Sequence, residues 1–292
     1  MKNWFSECRN TLKLGVLGQV LACLLSASAV LGTAAVPASA QTAGVQNVSL
    51  YVNHVPYPGQ AILYEDTTYV ELGEFTAEVR VCSASIDAAG KTAAYTGEGI
   101  TMHVTDGTPY MEANGRYLWC ENGVFVREGK AYVPLRAAAK ALGAEIEWNA
   151  DEFAAYVATG TAPILAGEQF YIEDEVLWLS RIIHAEAGAE PFLGQLAVGN
   201  VVLNRVRSEL FPDTVYSVIF DTENGVQFTP TVNGTIYCTP DEEAVIAAKL
   251  CLEGASVVED CLYFFAPSLS KGTWITQNRA YFTTIGCHRF YR

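Results

Sequence analysis

Two carboxyl side chains stand close together in the segment His184-Ala185-Glu186-Ala187-Gly188-Ala189-Glu190-Pro191. Apolar residues recur with helical spacing on both sides, so Glu186 and Glu190 are predicted at a junction between two helices. A carboxyl that is half buried beside apolar groups has a raised pKa and keeps its proton near neutrality. Cleavage of a glycosidic bond needs such a proton donor. Capping or ion pairing would explain the same two residues about as well.

The elements that must position this segment are helices. An apolar stripe that includes Leu179 and Ile182 predicts a first helix from Glu173 to about Ala187, ending at Gly188. A second helix is predicted over 191–207, and a third from a Thr239 cap to about Glu253. Short aromatic segments follow up to residue 292. Together these features predict an α+β fold whose C-terminal domain, over 173–292, is mainly helical.

Residues 46–159 have a different pattern, in which short alternating segments typical of β-strands are separated by turn residues. Thr68–Leu72 and Ala131–Leu135 look like two copies of one unit. The second copy leads into a predicted helix, Arg136–Leu142, that ends at Gly143. The pattern predicts a small N-terminal α+β domain with β repeats, joined by a linker over 160–172 to the C-terminal domain.

Residues 1–40 have the composition of a secretory signal peptide. Lys2, Arg9 and Lys13 precede an apolar run, Leu14–Leu31, and Ala38-Ser39-Ala40 provides a cleavage site. The alternative is an uncleaved membrane anchor, because the run is nearly long enough to span a bilayer. Cleavage predicts a secreted, extracytoplasmic protein with no stable membrane insertion, because no later apolar segment is long enough to span.

Charge and cysteine content restrict the chemistry further. The formal net charge of −14 argues against a nucleic-acid partner, because phosphates need Lys and Arg partners. No cofactor or metal is expected: His54 and His103 are isolated, and no C-x-x-C or H-E-x-x-H spacing occurs.

Six cysteines follow the predicted signal peptide, and an even number in an exported protein favours disulfides. Cys82–Cys120 is the natural pair of the N-terminal half. Three pairings stay open for the remaining four cysteines, Cys238, Cys251, Cys261 and Cys287.

A family resemblance covers essentially all of residues 176–292. The segment WLSRIIHAEAGAEPFLGQLAVGNVVLNRVRSELFPDTVYSVIF (178–220), followed by Gly225–Pro230, Ala266-Pro267 and Ile285–Tyr291, resembles the germination-type, SleB-like cell wall hydrolases. The resemblance implies a lysozyme-like fold with Glu186 as the catalytic acid. His184 and Gly199 depart from the family pattern.

The resemblance implies the reaction of a lytic transglycosylase acting on peptidoglycan glycan strands. Glu186 would protonate the bond between N-acetylmuramic acid (MurNAc) and N-acetylglucosamine (GlcNAc), and then accept the proton of the attacking muramyl C6 hydroxyl. This route needs no second carboxylate. Glu190, Asp213 and Asp221 keep hydrolysis open, and Glu190 is the alternative acid.

Several further residues are candidates for substrate binding, each with a structural alternative. Aromatic rings offer flat faces to sugars, polar side chains offer hydrogen bonds, and the same residues also serve in packing. The candidates are Gln227, Phe228, Tyr263, Trp274 and His288. Asn204 and Arg205, at the end of the second helix, are interpreted as structural.

The N-terminal half carries a second resemblance. Residues 129–158, GKAYVPLRAAAKALGAEIEWNADEFAAYVA, are similar to the stalk module named after the N-terminal domain of copper amine oxidases. This implies a spacer or attachment role at the wall, without a copper centre or catalysis. A wall amidase or peptidase and a non-catalytic wall-binding protein remain alternatives for the whole chain. The sequence does not distinguish spore cortex from vegetative wall as substrate.

Overall fold

The computed structural model describes residues 46–223 and 225–292, so the predicted signal peptide lies outside the described residues. Within these ranges no helix combines the length and apolar character needed to cross a bilayer. The strands are β1 (Gln46–Val52), β2 (Val55–Pro56), β3 (Ala61–Tyr64), β4 (Thr67–Glu71), β5 (Cys82–Ile86), β6 (Thr92–Gly97), β7 (Ile100–Thr105), β8 (Tyr110–Ala113), β9 (Arg116–Trp119), β10 (Phe125–Arg127), β11 (Lys130–Pro134), β12 (Glu145–Asn149), β13 (Ala154–Ala158), β14 (Tyr263–Phe265), β15 (Tyr281–Ile285) and β16 (His288–Tyr291). The helices are α1 (Leu72–Val79), α2 (Leu135–Leu142), α3 (Gly167–Phe170), α4 (Glu173–Ala187), α5 (Phe192–Val206), α6 (Val215–Ile219), α7 (Pro230–Asn233), α8 (Glu242–Leu252) and α9 (Thr273–Asn278), with a 3₁₀ turn at Thr235–Tyr237.

The first sheet of the N-terminal domain has the strand order β10-β11-β4-β3-β1-β13-β12, with β2 added beside β1. Each of the two predicted repeat copies is a strand that runs directly into a helix of eight residues, β4–α1 and β11–α2. The two strands pair antiparallel, with Val70 opposite Val133. β1 pairs in parallel with β13, so the first and last strands of this domain are neighbours.

The second sheet of the N-terminal domain is a meander of five strands in the order β5-β6-β7-β8-β9. Cys82 begins β5 and Cys120 follows β9, so the two cysteines lie at opposite edges of this sheet. Neighbouring strands are about 4.8 Å apart, whereas a disulfide needs Cα atoms within about 7 Å. The predicted Cys82–Cys120 disulfide is therefore wrong, and both cysteines are free.

Helices α4, α5 and α8 pack together and form the core of the C-terminal domain. Gly199, one of the departures noted in the sequence, lies where α5 meets both other helices. A Cβ atom at this position would come within 2.8 Å of Cys251 Sγ and 2.9 Å of Ile183 Cδ1. Glycine thus permits the close approach of the three helices on which Glu186 depends.

The start and end of α8 differ slightly from the sequence prediction. Asp241, and not Thr239, caps this helix, because its Oδ1 accepts the backbone N–H of Ala244 at 2.8 Å. Strands β14, β16 and β15 form a three-stranded sheet beside the helices. The four C-terminal cysteines are also free: Cys251 and Cys261 are buried, and Cys238 and Cys287 are exposed. The predicted α+β class, β-rich at the N-terminus and mainly helical at the C-terminus, is confirmed.

The two domains contact each other through a buried ionic cluster. Glu253, just after α8, has a side chain only 2% exposed. It accepts hydrogen bonds from Arg116 Nη2 at 2.8 Å, Lys140 Nζ at 2.8 Å and the Tyr171 hydroxyl at 3.1 Å. Arg116 and Lys140 belong to the N-terminal domain. The segment predicted as a linker is fastened as well, since Gly167 N–H donates to Asn114 O at 2.8 Å.

Candidate active site

Glu186 lies in the last turn of α4, on the face of the helix that enters the core. The residues three, four and seven positions before it are Ile183, Ile182 and Leu179, and all three are fully buried. These positions share one face of an α-helix. The apolar stripe that fastens α4 therefore ends in a carboxyl, which is why Glu186 is only partly exposed.

The Glu186 carboxylate has no hydrogen bond or ion pair with any residue in 46–223 or 225–292. Burial without a compensating donor disfavours the charged form, and it raises the pKa of Glu186 above the ordinary value of 4.5. The group is thus an acid that holds its proton to higher pH than a solvated glutamate. This is the electrostatic condition for donating a proton to a leaving oxygen near neutrality.

His184, two residues before Glu186, connects α4 to the start of α8. Its Nδ1 lies 3.2 Å from Oδ2 of Asp241, the residue that caps α8. The backbone N–H of Asp241 also points to His184 Nδ1, at 3.4 Å. The unexpected histidine of the motif therefore fixes the end of the helix that carries Glu186.

Glu190, the alternative acid, is engaged in a structural contact. Its Oε2 accepts the backbone N–H of Cys287 at 2.8 Å, which ties the β15–β16 turn to the start of α5. Gly286 in this turn has φ +57°, and a Cβ atom there would lie 1.8 Å from Glu190 Oε2. The turn is thus built around this carboxylate. We interpret Glu190 as a fastening residue.

His288 lies behind Glu190 and is 6% exposed. Its Nδ1 is buried without a hydrogen-bond partner in the described ranges, 3.9 Å from Glu190 Oε1. Burial lowers the pKa of His288, although the Glu190 charge opposes this effect. Its ring packs edge-on against Phe264 at 5.2 Å between centroids. This enclosure favours the structural alternative for His288, and its contact with substrate stays a prediction.

Arg205 occupies a pocket of aromatic rings at the end of α5. Its guanidinium carbon lies 4.9 Å from the Phe211 ring centre, 5.2 Å from Phe228 and 5.7 Å from Tyr263. Its Nε donates to Leu262 O at 2.8 Å, which agrees with the predicted structural role. Burial lowers the pKa of Arg205 to about 10, so the group remains charged at neutral pH. Asn204 is also structural, since its Nδ2 donates to Glu259 O and Cys261 O.

Phe228 is a wall of this pocket and is 2% exposed. Its ring packs in the core, which favours the packing alternative, and its predicted stacking on a sugar stays a prediction. Gln227, beside it, is partly exposed. Gln227 Oε1 accepts from Arg205 Nη1 at 3.4 Å, and its Nε2 donates to Gly225 O at 3.1 Å. These contacts fix the amide at the edge of the pocket, where it stays a candidate for substrate binding.

Tyr263, Trp274 and Arg279 form an open platform next to the Arg205 pocket. Trp274 is 55% exposed and lies edge-on to Tyr263 at 5.8 Å between ring centres. Arg279 Nη2 donates to the Tyr263 hydroxyl at 3.0 Å, and the guanidinium covers both rings. The structure thus brings together two predicted binding residues. It adds Arg279, which no motif marked.

A second aromatic group lies along α4. Trp178 packs edge-on against Tyr216, Phe220 and Tyr237, with ring centres 5.2, 5.4 and 6.3 Å away. Tyr216 and Tyr237 are 51% and 60% exposed. Trp178 precedes Glu186 by eight residues, about 12 Å along the helix. The sequence is rich in aromatic residues, but their number does not tell which of them cluster.

Metal ligands do not cluster within the described ranges, where no group of three or more His, Cys, Asp or Glu side chains could hold an ion. The two cavities of 490 and 380 Å³ lie in the N-terminal domain, away from Glu186. These two cavities and the carboxyl with the raised pKa are therefore in different places. A cavity shows only where a ligand has room, whereas a raised carboxyl pKa shows where a proton can be donated, so we give the chemical criterion more weight in locating the site of cleavage.

Comparison with known proteins assigns a family to each domain. Residues 189–291 match the cell wall hydrolase family, and residues 51–157 match the copper amine oxidase N-terminal domain family. The C-terminal domain therefore matches the cell wall hydrolase family, and both expected resemblances are confirmed. The matched range begins at Ala189, just after Glu186.

The relatives within this family are spore cortex-lytic enzymes. The enzyme of Bacillus cereus is 37% identical over 120 residues, which are 41% of this chain and 45% of that protein. The enzyme of Oceanobacillus iheyensis is 35% identical over 132 residues, 45% of this chain and 46% of that protein. The chain thus spans less than half the length of these curated relatives. Among solved structures, the catalytic domain of the germination-specific lytic transglycosylase SleB from Bacillus anthracis is 36% identical; the match covers 42% of this chain and 97% of that domain, with a TM-score of 0.39.

Proposed function

We propose that this protein degrades peptidoglycan outside the cytoplasm by cleaving the MurNAc–GlcNAc bond as a lytic transglycosylase, with Glu186 as its single acid and base. The observation that carries the proposal is the Glu186 carboxyl, partly buried, without a partner in the described ranges and with a raised pKa. The match of the C-terminal domain to the cell wall hydrolase family supports peptidoglycan as the substrate. The bond and the reaction type are those that the family resemblance of residues 176–292 implies.

The reaction uses one carboxyl group twice, first as an acid and then as a base. Protonated Glu186 donates to the oxygen between MurNAc and GlcNAc, and the bond from that oxygen to the muramyl anomeric carbon breaks. The muramyl C6 hydroxyl attacks the same carbon, and the Glu186 carboxylate accepts the hydroxyl proton. The products are a 1,6-anhydro-muramyl end and a free GlcNAc hydroxyl. No water is consumed, and Glu186 regains its initial protonated state.

The surroundings of the other carboxylates favour this route over hydrolysis. An inverting hydrolase needs a second carboxylate to activate water, and a retaining one needs a second carboxylate as nucleophile. Glu190 is occupied by the Cys287 N–H, and Asp221 accepts the N–H of Glu223. Neither has the free, partly buried environment of Glu186.

Substrate binding is proposed on the platform of Tyr263, Trp274 and Arg279, with Gln227 at its border. Sugar rings present flat C–H faces that stack on aromatic side chains, and their hydroxyl and acetamido groups need hydrogen-bond partners. The platform offers both, with an exposed indole and a guanidinium fixed by the Tyr263 hydroxyl.

The experiment is digestion of purified peptidoglycan with the protein that begins after residue 40, followed by mass spectrometry of the released fragments. We expect anhydro-muropeptides. Fragments with reducing ends that have gained water would indicate hydrolysis and not transglycosylation. Cut stem peptides would indicate an amidase or peptidase. If nothing is released while the protein sediments with the wall, the protein is a binding protein and the proposal fails.

A pair of variants tests the assignment to Glu186 within the same assay. Glu186→Gln removes the proton but keeps the shape of the side chain. Glu173→Gln is the matched control, because Glu173 begins the same helix and is exposed. Only the first variant should stop release. Full activity of Glu186→Gln would move the acid to another residue.

A further inference from the structure

The N-terminal domain contains an open cavity of about 490 Å³, for which the stalk resemblance provides no use. We call it the N-terminal cleft. Four segments line it: the β3–β4 hairpin, the end of β9, the junction of β11 with α2, and the β12–β13 hairpin. Its volume lies within the range of small-molecule sites, about 300–1,000 Å³. The residues on which its chemistry depends are Asp66, Thr68, Trp119, Glu121, Arg136 and Trp148.

Two indole rings line the cleft. Trp148 is 41% exposed and rests edge-on against Phe153, with ring centres 5.3 Å apart. Trp119 is partly exposed. Neither side chain donates a hydrogen bond to a residue in the described part of the chain. An indole that is half open, with a free N–H, offers both an apolar face and a hydrogen-bond donor.

The charged groups of the cleft have no partners among the residues that the structure describes. Arg136 is exposed on the first turn of α2, and it forms no ion pair or hydrogen bond with the described residues. Asp66 and Glu121, on two other segments, are exposed and likewise unpaired in 46–223 and 225–292. The cleft thus presents one strong donor and two acceptors beside its indole rings. A purely apolar ligand would desolvate these charges without compensation.

We propose that the N-terminal cleft is a second glycan-binding site, which holds amino-sugar units of the wall polymer apart from the site of cleavage. Pyranose faces stack on Trp148 and Trp119, Arg136 donates to hydroxyl or acetamido oxygens, and Asp66 and Glu121 accept from hydroxyl groups. Two carboxylates exclude a nucleic-acid strand by repulsion. The identity of the sugar polymer rests on the proposed function, whereas the site rests on the cleft alone.

The cleft is fastened to the catalytic domain and is not carried on a free tether. Trp119 packs against the apolar cluster of the C-terminal domain as well as lining the cleft. Arg116, on the same strand, forms the buried pair with Glu253. A glycan strand in the cleft is therefore held in a defined orientation relative to the helices that carry Glu186.

The test is calorimetric titration with short glycan strands from which the stem peptides have been removed. The protein carries Glu186→Gln, so that the ligand is not consumed. We expect two binding events per chain in this parent. Trp148→Ala and Arg136→Ala should each weaken one event roughly tenfold, because a stacked aromatic ring or a charge-assisted bond contributes about that factor. Trp148→Phe keeps an aromatic face and should restore most of the binding.

Tyr156→Ala is the matched control. Tyr156 lies on the same hairpin as Trp148 but on its other face, since Trp148 pairs with Ala155 and Glu147 with Tyr156. This variant should bind like the parent. Thermal unfolding of each variant checks that the hairpin is intact.

Each outcome decides the proposal. Unchanged binding in Trp148→Ala and Arg136→Ala overturns it, as does loss of binding in the Tyr156→Ala control alone. Binding of free stem peptides in place of glycan overturns the ligand class. If peptidoglycan is not cleaved by the unsubstituted protein, the proposed function fails. A single glycan-binding event that depends on Trp148 would still support the cleft.

Discussion

Glu186 and Glu253 end two helices that pack against each other, and their surroundings are opposite. Glu186 closes α4 and faces the apolar core without a partner in the described ranges, so burial alone raises its pKa. Glu253 follows α8 and is even less exposed. Burial by itself would raise its pKa too, but the hydrogen bonds and charges of Arg116 and Lys140 lower it below the ordinary value.

The contrast shows that burial of a carboxylate does not by itself identify a reactive group. Three donors stabilise the charged form of Glu253, which fastens two domains. Without such donors, burial favours the protonated form of Glu186. A functional acid is recognised by the absence of hydrogen-bond donors and cations around its carboxyl, whereas a structural carboxylate is recognised by their presence.

The largest expected effect comes from removing the acid group of Glu186, the first residue of the comparison. Glu186→Gln should lower the rate of glycan cleavage by roughly 10²–10⁴-fold, the usual contribution of a general acid. In the unsubstituted protein, the rate should fall as pH rises through the pKa of Glu186, which lies above 4.5, because the acid loses its proton. Rates measured against pH on purified peptidoglycan check both statements. A rate that stays constant up to strongly alkaline pH would contradict the assignment.

The next largest effect comes from removing the carboxylate of Glu253, the other residue of the comparison. Glu253→Ala should cost about 3–5 kcal/mol in the free energy of unfolding, because it leaves the Arg116 guanidinium buried without its counter-ion. Glu259→Ala, which removes an exposed partner of Arg292, is the control and should cost at most about 1 kcal/mol. Urea denaturation followed by circular dichroism measures both. Equal losses would show that the Glu253 cluster has no special weight.

A smaller effect concerns the binding platform. Trp274→Ala should raise KM for glycan strands roughly three- to tenfold, since the exposed indole contributes about 0.5–1.5 kcal/mol beyond its buried area. The value of kcat should change little, because Trp274 does not take part in proton transfer. Steady-state kinetics on soluble strands provide the measurement. A fall in kcat with unchanged KM would place Trp274 in the chemical step.

The smallest effect is a gain in stability when the Glu186 carboxyl is removed. The folded protein holds the Glu186 proton more tightly than the unfolded chain, so stability falls as pH rises from 4.5 through the folded pKa. Glu186→Gln removes this penalty and should raise Tm slightly at pH 7, with no difference below pH 4.5. Glu253 has the opposite sign, because its lowered pKa gives stability that is lost as pH falls below 4.5. Melting curves of Glu186→Gln and the control Glu173→Gln at several pH values separate these contributions.

The helices were well predicted because their signals are local. The apolar stripe on α4 and the prolines and glycines beside it gave bounds within a residue or two of Glu173–Ala187 and Phe192–Val206. The strand–helix repeat of the N-terminal domain was found for the same reason. Strand order is not local, and so the Cys82–Cys120 pair was placed across two opposite edges of a sheet.

The site was only partly predictable, since side-chain partners come from distant parts of the chain. Glu186 was marked by its motif. Phe228 and His288 carried the right residue types for a sugar cleft, but packing from α5 and the last sheet encloses them. Arg279 and the Glu253 cluster gave no signal, because an ion pair such as Arg116–Glu253 joins residues that only the fold brings together.

The parallel pairing of β1 with β13 has a consequence for the order of folding. Ser49 lies opposite Ala154 and Val52 opposite Val157, so this strand pair within the sheet joins segments about a hundred residues apart. A nascent chain cannot complete the first sheet until both segments have emerged from the ribosome. Closing so large a loop is entropically slow, and the unpaired β1 stays available to other partners in the meantime. Internal deletion of residues 154–158 should thus cause aggregation of newly made protein, even though the helices that carry Glu186 are retained.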